Sequence, residues 1–193
     1  MRLIYKCLAF FLGLFCISCE NRDTVYINGI CGNCTDGTPI KLYYLQNDSV
    51  ITLGNDSLIH GRFNFTVEAN PDMAYYIFVN DTLNPSRGMF FAEKGKVNIA
   101  FDSTYHVSGT PMNDLYNTYL TETRRIEKLG EVEYHRSIEG KDNPDTSVFD
   151  SLLQVFTEYK VKFQLDNIHN IVGKTTFINE IGSVYDPNFL ETY

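Results

Sequence analysis

The sequence predicts an α+β fold, in which an N-terminal antiparallel β-sandwich or partly open barrel is followed by a helical extension. Short segments rich in Val, Ile, Tyr and Phe, separated by Gly, Asn and Asp, fill the first half of the chain, as consecutive strands do. After residue 110 the apolar residues recur every three or four positions, which is the helical period. The 193 residues, 44% of them hydrophobic, suffice for one globular domain with such an extension.

Seven strands are predicted in the first part. Alternation is clearest in residues 62–67 and 97–101, whose Phe, Val and Ile side chains are expected to share one buried face. Residues 93–96 contain Gly95 and are predicted to form a hairpin-like link between the last two strands. The predicted strands are residues 25–27, 40–44, 49–53, 62–67, 74–79, 88–92 and 97–101.

The extension is predicted to contain three helices. Pro111 stands near the start of the first and Gly130 past its end, because Pro favours the first helical turn and Gly follows the last one. The second, longer helix is predicted to end at Gly173. Residues 174–185 are predicted to form a third, short helix.

The first 18 residues have the pattern of a secretory signal peptide. Arg2 and Lys6 form a positive n-region, and the apolar residues 7–17 are too few to span a bilayer. Ser18 and Cys19 close the segment, which resembles the lipobox of bacterial lipoproteins. The resemblance implies that Cys19 is diacylated and becomes the new N-terminus. An ordinary secretory signal cleaved nearby, or an uncleaved anchor, is the alternative.

The predicted organisation therefore has four parts. They are the lipoprotein signal peptide (1–18), a lipid-anchored linker (19–23), the sandwich-like domain (24–110) and the helical extension (111–193). Asp186 and Pro187 have the pattern of a helix start close to the last residue, so a truncated extension is one expectation.

The charge balance is acidic. Lys and Arg number 16 against 24 Asp and Glu, a net charge of −8, and loss of Arg2 and Lys6 with the signal makes the balance more negative. Nucleic-acid and anionic-membrane surfaces need clustered cations, so neither is predicted as a partner. The membrane is expected to hold the chain through the lipid alone. The predicted location is a bacterial cell envelope, at the inner or outer membrane, on the periplasmic or the surface side.

Of the five cysteines, only Cys31 and Cys34 are left after signal removal and acylation. An adjacent pair in an oxidising compartment predicts a small turn disulfide, with two unpaired thiols as the alternative. A redox role stays open, although residues 35–39 provide no helix N-terminus that would stabilise a thiolate. No metal site is predicted, because the four histidines lack metal-ligand spacing. No catalytic residue or cofactor is predicted either, since none of the carboxylate pairs stands out as catalytic.

Turn glycines and core aromatics form a set of motifs over residues 24–113. They are Ile27–Gly29, Asp36–Gly37 before Ile40–Leu42, Gly61–Phe65, Phe90–Ile99 and Val107–Asn113. This set resembles a domain of unknown function that precedes thioredoxin-like domains of the AhpC/TSA type in lipoproteins of Gram-negative anaerobic bacteria. The resemblance implies a relation to thiol-disulfide oxidoreductases. Their Trp-Cys-x-x-Cys site does not occur in this sequence, which has no Trp and no cysteine after Cys34, so their activity is not carried over.

An Asp-Ser or Asp-Thr pair followed by an apolar residue or Thr recurs along the chain. It is similar to the O-glycosylation sequon of the same bacterial group. The candidate acceptors are Thr24, Ser49, Ser57, Thr82, Ser103 and Ser151. The alternative is that these residue types are simply common at turns and strand starts.

The predicted function is that of a non-catalytic cell-envelope lipoprotein, an interaction or accessory module related to the N-terminal domain of thiol-disulfide oxidoreductases. Its 13 Tyr and 14 Phe include candidates for an exposed sheet face that binds an unknown protein or glycan partner. One alternative is a small redox protein acting through Cys31 and Cys34. Another is a truncated relic of a longer oxidoreductase.

Overall fold

The computed structural model describes residues 23–47, 49–83, 85–139 and 145–181. The predicted signal peptide, the anchor residue Cys19 and the Asp186–Pro187 motif lie outside these residues. Within them, eight strands are followed by three helices. The strands form two separate four-stranded sheets. The predicted α+β class with a sandwich is therefore confirmed, and of the two predicted forms the sandwich is the one found.

The strands are β1 (Thr24–Cys31), β2 (Pro39–Gln46), β3 (Ser49–Ser57), β4 (Arg62–Glu68), β5 (Asn70–Val79), β6 (Ser86–Ala92), β7 (Gly95–Phe101) and β8 (Tyr105–Ser108). Sheet A has the order β4-β1-β7-β8, and sheet B has the order β3-β2-β5-β6. Neighbouring strands run antiparallel, except that β1 and β7 run parallel. Parallel neighbours need a long connection, and the chain forms five other strands between these two.

The predicted hairpin at residues 93–96 is wrong. β6 ends at Ala92 in sheet B and β7 begins at Gly95 in sheet A, so Glu93 and Lys94 carry the chain from one sheet to the other. Gly95 has a φ of 127°, a conformation that side-chain-bearing residues rarely adopt. Strand β8 was not predicted, because its four residues contain a single buried side chain and show no clear alternation.

The core lies between the inner faces of the two sheets. As predicted, β4 and β7 share a buried face, on which Phe65 and Val67 are half-buried and the others are buried. The largest fully buried side chains are Val25, Ile27, Ile40, Leu42, Leu58, Phe63, Ile77, Val79, Phe90, Phe91, Val97 and Ile99. Both sheets contribute to this set, so the sandwich depends on apolar burial between them, while Phe91 is buried on the outer side of sheet B beneath α1.

The helices are α1 (Pro111–Ile138), α2 (Ser147–Asp166) and α3 (Ile171–Ile181). α1 begins at Pro111, where the sequence placed its start. It does not end before Gly130 but continues through it, and the Phe149 ring of α2 packs beside this glycine. Tertiary packing here outweighs the weak helix propensity of Gly.

The prediction that Gly173 ends the second helix is also wrong. α2 ends at Asp166, and Gly173 lies inside α3. The Asn170 Oδ1 atom accepts a hydrogen bond from the Gly173 N–H at 3.0 Å, as an N-cap residue does. A Cβ atom on Gly173 would overlap the carbonyl oxygen of Asn167. Close backbone approach between the two helices, rather than helix termination, explains this glycine.

The helices pack on the outer side of sheet B and against the β8 edge of sheet A. Phe91 of β6 meets Tyr116 of α1 edge to face, with ring centres 5.6 Å apart. The Asn179 side chain of α3 donates a hydrogen bond to the Met89 sulfur at 3.5 Å. None of the helices in the described ranges combines the length and the apolar character needed to cross a membrane.

Candidate functional site

The outer side of sheet A, here called the open face, is the candidate binding surface. Its residues alternate along the four strands with the core residues and therefore point away from the sandwich. Two of its apolar members are substantially exposed, Tyr26 by 41% and Ile30 by 45%. The open face includes Tyr26, Asn28, Ile30, Arg62, Asn64, Thr66, Lys96, Asn98, Ala100, His106 and Ser108, with the Thr24–Glu68 pair at its end.

A straight row of polar side chains crosses this face. Asn64, Asn28, Asn98 and Ser108 are direct cross-strand neighbours on β4, β1, β7 and β8. Adjacent strands lie about 4.8 Å apart, so the row runs perpendicular to the strands at that spacing. We call these four residues the amide row. A parallel row beside it consists of Arg62, Ile30, Ala100 and His106.

Members of both rows, though not Asn64, line a shallow depression of about 230 Å³. Within the part of the chain that the structure describes, the amide groups of Asn28, Asn64 and Asn98 have no hydrogen-bond partner. Each amide offers two donors and an accepting oxygen. His106 is held by a 2.7 Å contact between its Nε2 and the Thr104 hydroxyl. The depression thus presents amide donors and acceptors, the cationic Arg62 guanidinium and the His106 ring over an apolar floor.

Cys31 and Cys34 are joined in a disulfide, with their Cα atoms 5.5 Å apart. Cys31 is the last residue of β1 and is only 3% exposed. Its N–H donates a 2.8 Å hydrogen bond to the carbonyl of Gly61. The chain then continues into β2 and not into a helix, so no helix N-terminus faces either sulfur.

A hydrogen bond next to the disulfide joins the turn between β1 and β2 to the turn between β3 and β4. The Asp36 carboxylate accepts a 3.0 Å hydrogen bond from the Gly61 N–H. Hydrogen bonds from the backbone N–H groups of Gly61 and His60 hold the pKa of this carboxyl below its usual value. A lowered folded-state pKa contributes stability that is present above the ordinary carboxyl pKa and is lost as the pH falls through the folded value.

The six candidate glycosylation residues lie at separate places on the sandwich and helices. Five of them are exposed, and Thr24 is half-buried at the start of β1. The exposed ones are Ser49, Ser57, Thr82, Ser103 and Ser151. Their modification stays a prediction.

Metal-ligating side chains do not gather in the described ranges. No three His, Cys, Asp or Glu residues among them lie close enough to hold an ion.

Residues at the start of α1 fasten it to the sandwich. The Asn113 side chain is fully buried and pairs with the backbone of Phe91: its Oδ1 accepts from the N–H at 2.9 Å, and its Nδ2 donates to the carbonyl at 2.8 Å. A third bond joins Nδ2 to the Thr110 hydroxyl at 2.7 Å. The Glu93 carboxylate accepts a 2.8 Å bond from the Met112 N–H at the helix N-terminus.

This connection falls within a recognisable stretch of sequence. Residues 27–116 match the family described as Domain of unknown function (DUF4369). The match runs from β1 to the first turns of α1, so it contains the sandwich together with Asn113 and Glu93. No curated protein is significantly similar to the chain. The expected domain of unknown function is thereby found, whereas its association with a thioredoxin-like domain stays a prediction.

A polar junction between the three helices was not foreseen. The Glu180 carboxylate of α3 accepts hydrogen bonds from the Tyr119 hydroxyl of α1 and, at 3.4 Å, from Gln164 of α2. Lys160 of α2 lies 2.7 Å from it. Burial, and then the hydrogen bond to Glu180, raise the pKa of Tyr119 far above its ordinary value. This junction stabilises the helical layer and lies away from the open face.

The open-face residues were also not singled out from the sequence. The sequence does indicate which residues face outward, because polar residues such as Asn28 and Asn98 alternate with apolar ones along each strand. Nothing local shows that these two asparagines are neighbours, because the parallel β1–β7 register that joins them spans most of the sandwich sequence.

Proposed function

We propose that this chain is a non-catalytic binding module of a bacterial cell envelope, tethered by a lipid on Cys19 and binding its ligand on the open face. The observation that carries the proposal is the amide row, a line of neutral polar groups across four strands in which Asn28 is half-buried and the other three are exposed. Amides bind by donating and accepting hydrogen bonds and do not act as nucleophiles or proton carriers at neutral pH. A sheet holds them at fixed spacing, as a preorganised site requires.

The ligand class that fits this surface is a neutral, hydroxyl-rich glycan. Sugar hydroxyls both donate and accept, as the amides do, and pair with them without a net charge. Ile30 and Ala100 supply an apolar floor for the carbon faces of sugar rings, and Tyr26 lies at the side. The depression is open and shallow, which suits an extended chain better than an enclosed small molecule.

As part of the same proposal, the module is an accessory to thiol-disulfide oxidoreductases and is related to the domain that precedes thioredoxin-like domains in bacterial lipoproteins. The match of residues 27–116 to a domain family, together with the motifs at Gly61–Phe65 and Phe90–Ile99, supports this relation.

A glycan array tests the binding proposal. The wild-type chain should retain neutral oligosaccharides, and the double variant Asn28→Leu/Asn98→Leu should lose at least about tenfold in signal, because two hydrogen-bonding groups at the centre of the row are removed. The matched control is Asn33→Leu/Asn55→Leu, which changes two exposed asparagines outside the open face and should bind like wild type. An array that retains no neutral glycan, or equal binding by both variants, contradicts the proposal.

The tether is tested by lipid labelling. Cells that express the chain should incorporate radiolabelled palmitate into it, and Cys19→Ala should abolish the incorporation because the thiol that is acylated is gone. The control is Cys34→Ala, which leaves Cys19 in place and should be labelled like wild type. Labelling that survives Cys19→Ala overturns the assignment of Cys19 as the anchor, whichever of the two membranes holds the chain.

A disulfide variant separates the binding module from the redox alternative. Cys31→Ser/Cys34→Ser should lower the free energy of unfolding by about 2 kcal/mol, the chain-entropy estimate for so short a loop. Glycan binding should be unchanged, since the disulfide lies outside the amide row. Wild-type chain that reduces insulin disulfides, with activity lost in the variant, would instead establish the redox function.

A further inference from the structure

The uncovered part of the outer side of sheet B carries two cations in one cross-strand row. Lys41 of β2 pairs with Phe78 of β5, which in turn pairs with Arg87 of β6. The chain has a net charge of −8, and these two cations lie within two cross-strand positions of each other. Neither Lys41 nor Arg87 forms an ion pair with any residue that the structure describes.

Two tyrosines in the adjacent row hold these cations in place. The rings of Tyr43 and Tyr76 stack with their centres 5.4 Å apart and an interplanar angle of 20°. The Lys41 ammonium lies 5.9 Å from the centre of the Tyr43 ring, and the Arg87 guanidinium lies 5.6 Å from that of Tyr76. Cation–π contacts restrict both long side chains and leave their N–H groups available to a ligand.

Tyr76 also forms one wall of a groove between β5 and α3. The groove has a volume of about 280 Å³ and is lined mainly by apolar side chains. One of them, Ile178, is 69% exposed. The lining residues are Leu45, Asp72, Met73, Ala74, Tyr76, Thr175, Ile178 and Asn179. Among the described lining residues Asp72 is the one carboxylate, and its negative charge favours a ligand whose own carboxylates lie at the cationic side.

We propose that the cationic row and this groove together bind an acidic protein segment that carries an apolar anchor residue. The carboxylates pair with Lys41 and Arg87, and the anchor enters the groove beside Ile178. Charge complementarity with the two cations requires a negatively charged partner. The apolar groove favours a peptide over an acidic glycan, because a glycan has no apolar side chain to place there. This surface lies on the opposite sheet from the open face and is independent of glycan binding.

Phage display of random dodecapeptides on the whole chain tests the proposal. The selected peptides should be enriched in Asp and Glu around an apolar residue. Their affinity should fall with rising salt and drop at least about tenfold in Lys41→Glu/Arg87→Glu. Ile178→Ser, a substitution at an exposed position, should weaken binding without a change of circular dichroism.

The control is Lys94→Glu/Lys128→Glu, which makes the same change of net charge at exposed positions elsewhere and should bind like wild type. The proposal is overturned if no acidic enrichment appears, if Lys41→Glu/Arg87→Glu and the control bind equally, or if a soluble polyuronate binds the cationic row while acidic peptides do not. Glycan binding on the open face should be the same in all these variants, so failure here leaves that function intact.

Discussion

Asn113→Ala is expected to lower the free energy of unfolding by about 3 kcal/mol, because a buried group with three hydrogen bonds is removed. In an interior that water does not reach, the substitution removes the partner of the Phe91 N–H and one of the two donors to the Phe91 carbonyl, which keeps its 2.8 Å hydrogen bond from the Glu93 N–H. These two groups lie on β6, an edge strand of sheet B, and the Asn113 amide pairs with them as a neighbouring strand would. The first turn of α1 should therefore separate from the sandwich.

Urea unfolding followed by circular dichroism measures this effect. The matched control is Asn64→Ala, which removes an exposed amide and should change stability by less than about 0.5 kcal/mol. Equal midpoints for the two variants would show that the Asn113 pairing does not fasten α1 to the sandwich.

Gly29→Val should destabilise the chain by about 3 kcal/mol, at the upper end of the range for overpacked cores. Gly29 lies opposite Phe63 in the β1–β4 register, and the Phe63 ring fills the space above the glycine. A Cβ there would overlap the ring, which is 1% exposed and has no room to move aside. The wild-type arrangement is one in which an aromatic ring covers a cross-strand glycine.

The comparison for this prediction is Gly32→Val, in the turn beyond β1. A Cβ on Gly32 meets no atom within 4 Å, so little loss is expected. Thermal unfolding of both variants measures the difference. If Gly29→Val melts together with Gly32→Val, the ring of Phe63 is not fixed above Gly29 as described.

Local sequence pattern was enough for β1 to β7, though not for β8, and for the buried face of β4 and β7. The period of two in a strand is visible within five or six residues, as at Phe63 and Phe65. The assignment of each strand to a sheet was not visible, and the wrong hairpin at residues 93–96 shows why. A short link with a glycine has the same local pattern whether it joins neighbouring strands or crosses between sheets.

The helix ends depended on tertiary contacts in the same way. Gly130 lies against Phe149, and Gly173 lies against the backbone at Asn167, so both glycines occupy close contacts inside helices. A single sequence does not distinguish this use of Gly from a helix stop. The amide row depends even more on tertiary structure, because Asn28 and Asn98 become neighbours only through parallel strand pairing.

The most direct measurement of the central claim is NMR mapping of the glycan that the array identifies. The side-chain amide signals of Asn28, Asn64 and Asn98 should shift on titration, because these groups bond to the sugar hydroxyls. The signals of Asn33 and Asn55, away from the open face, should stay unchanged. Shifts confined to residues outside the open face, with the amide row unaffected, would contradict the account.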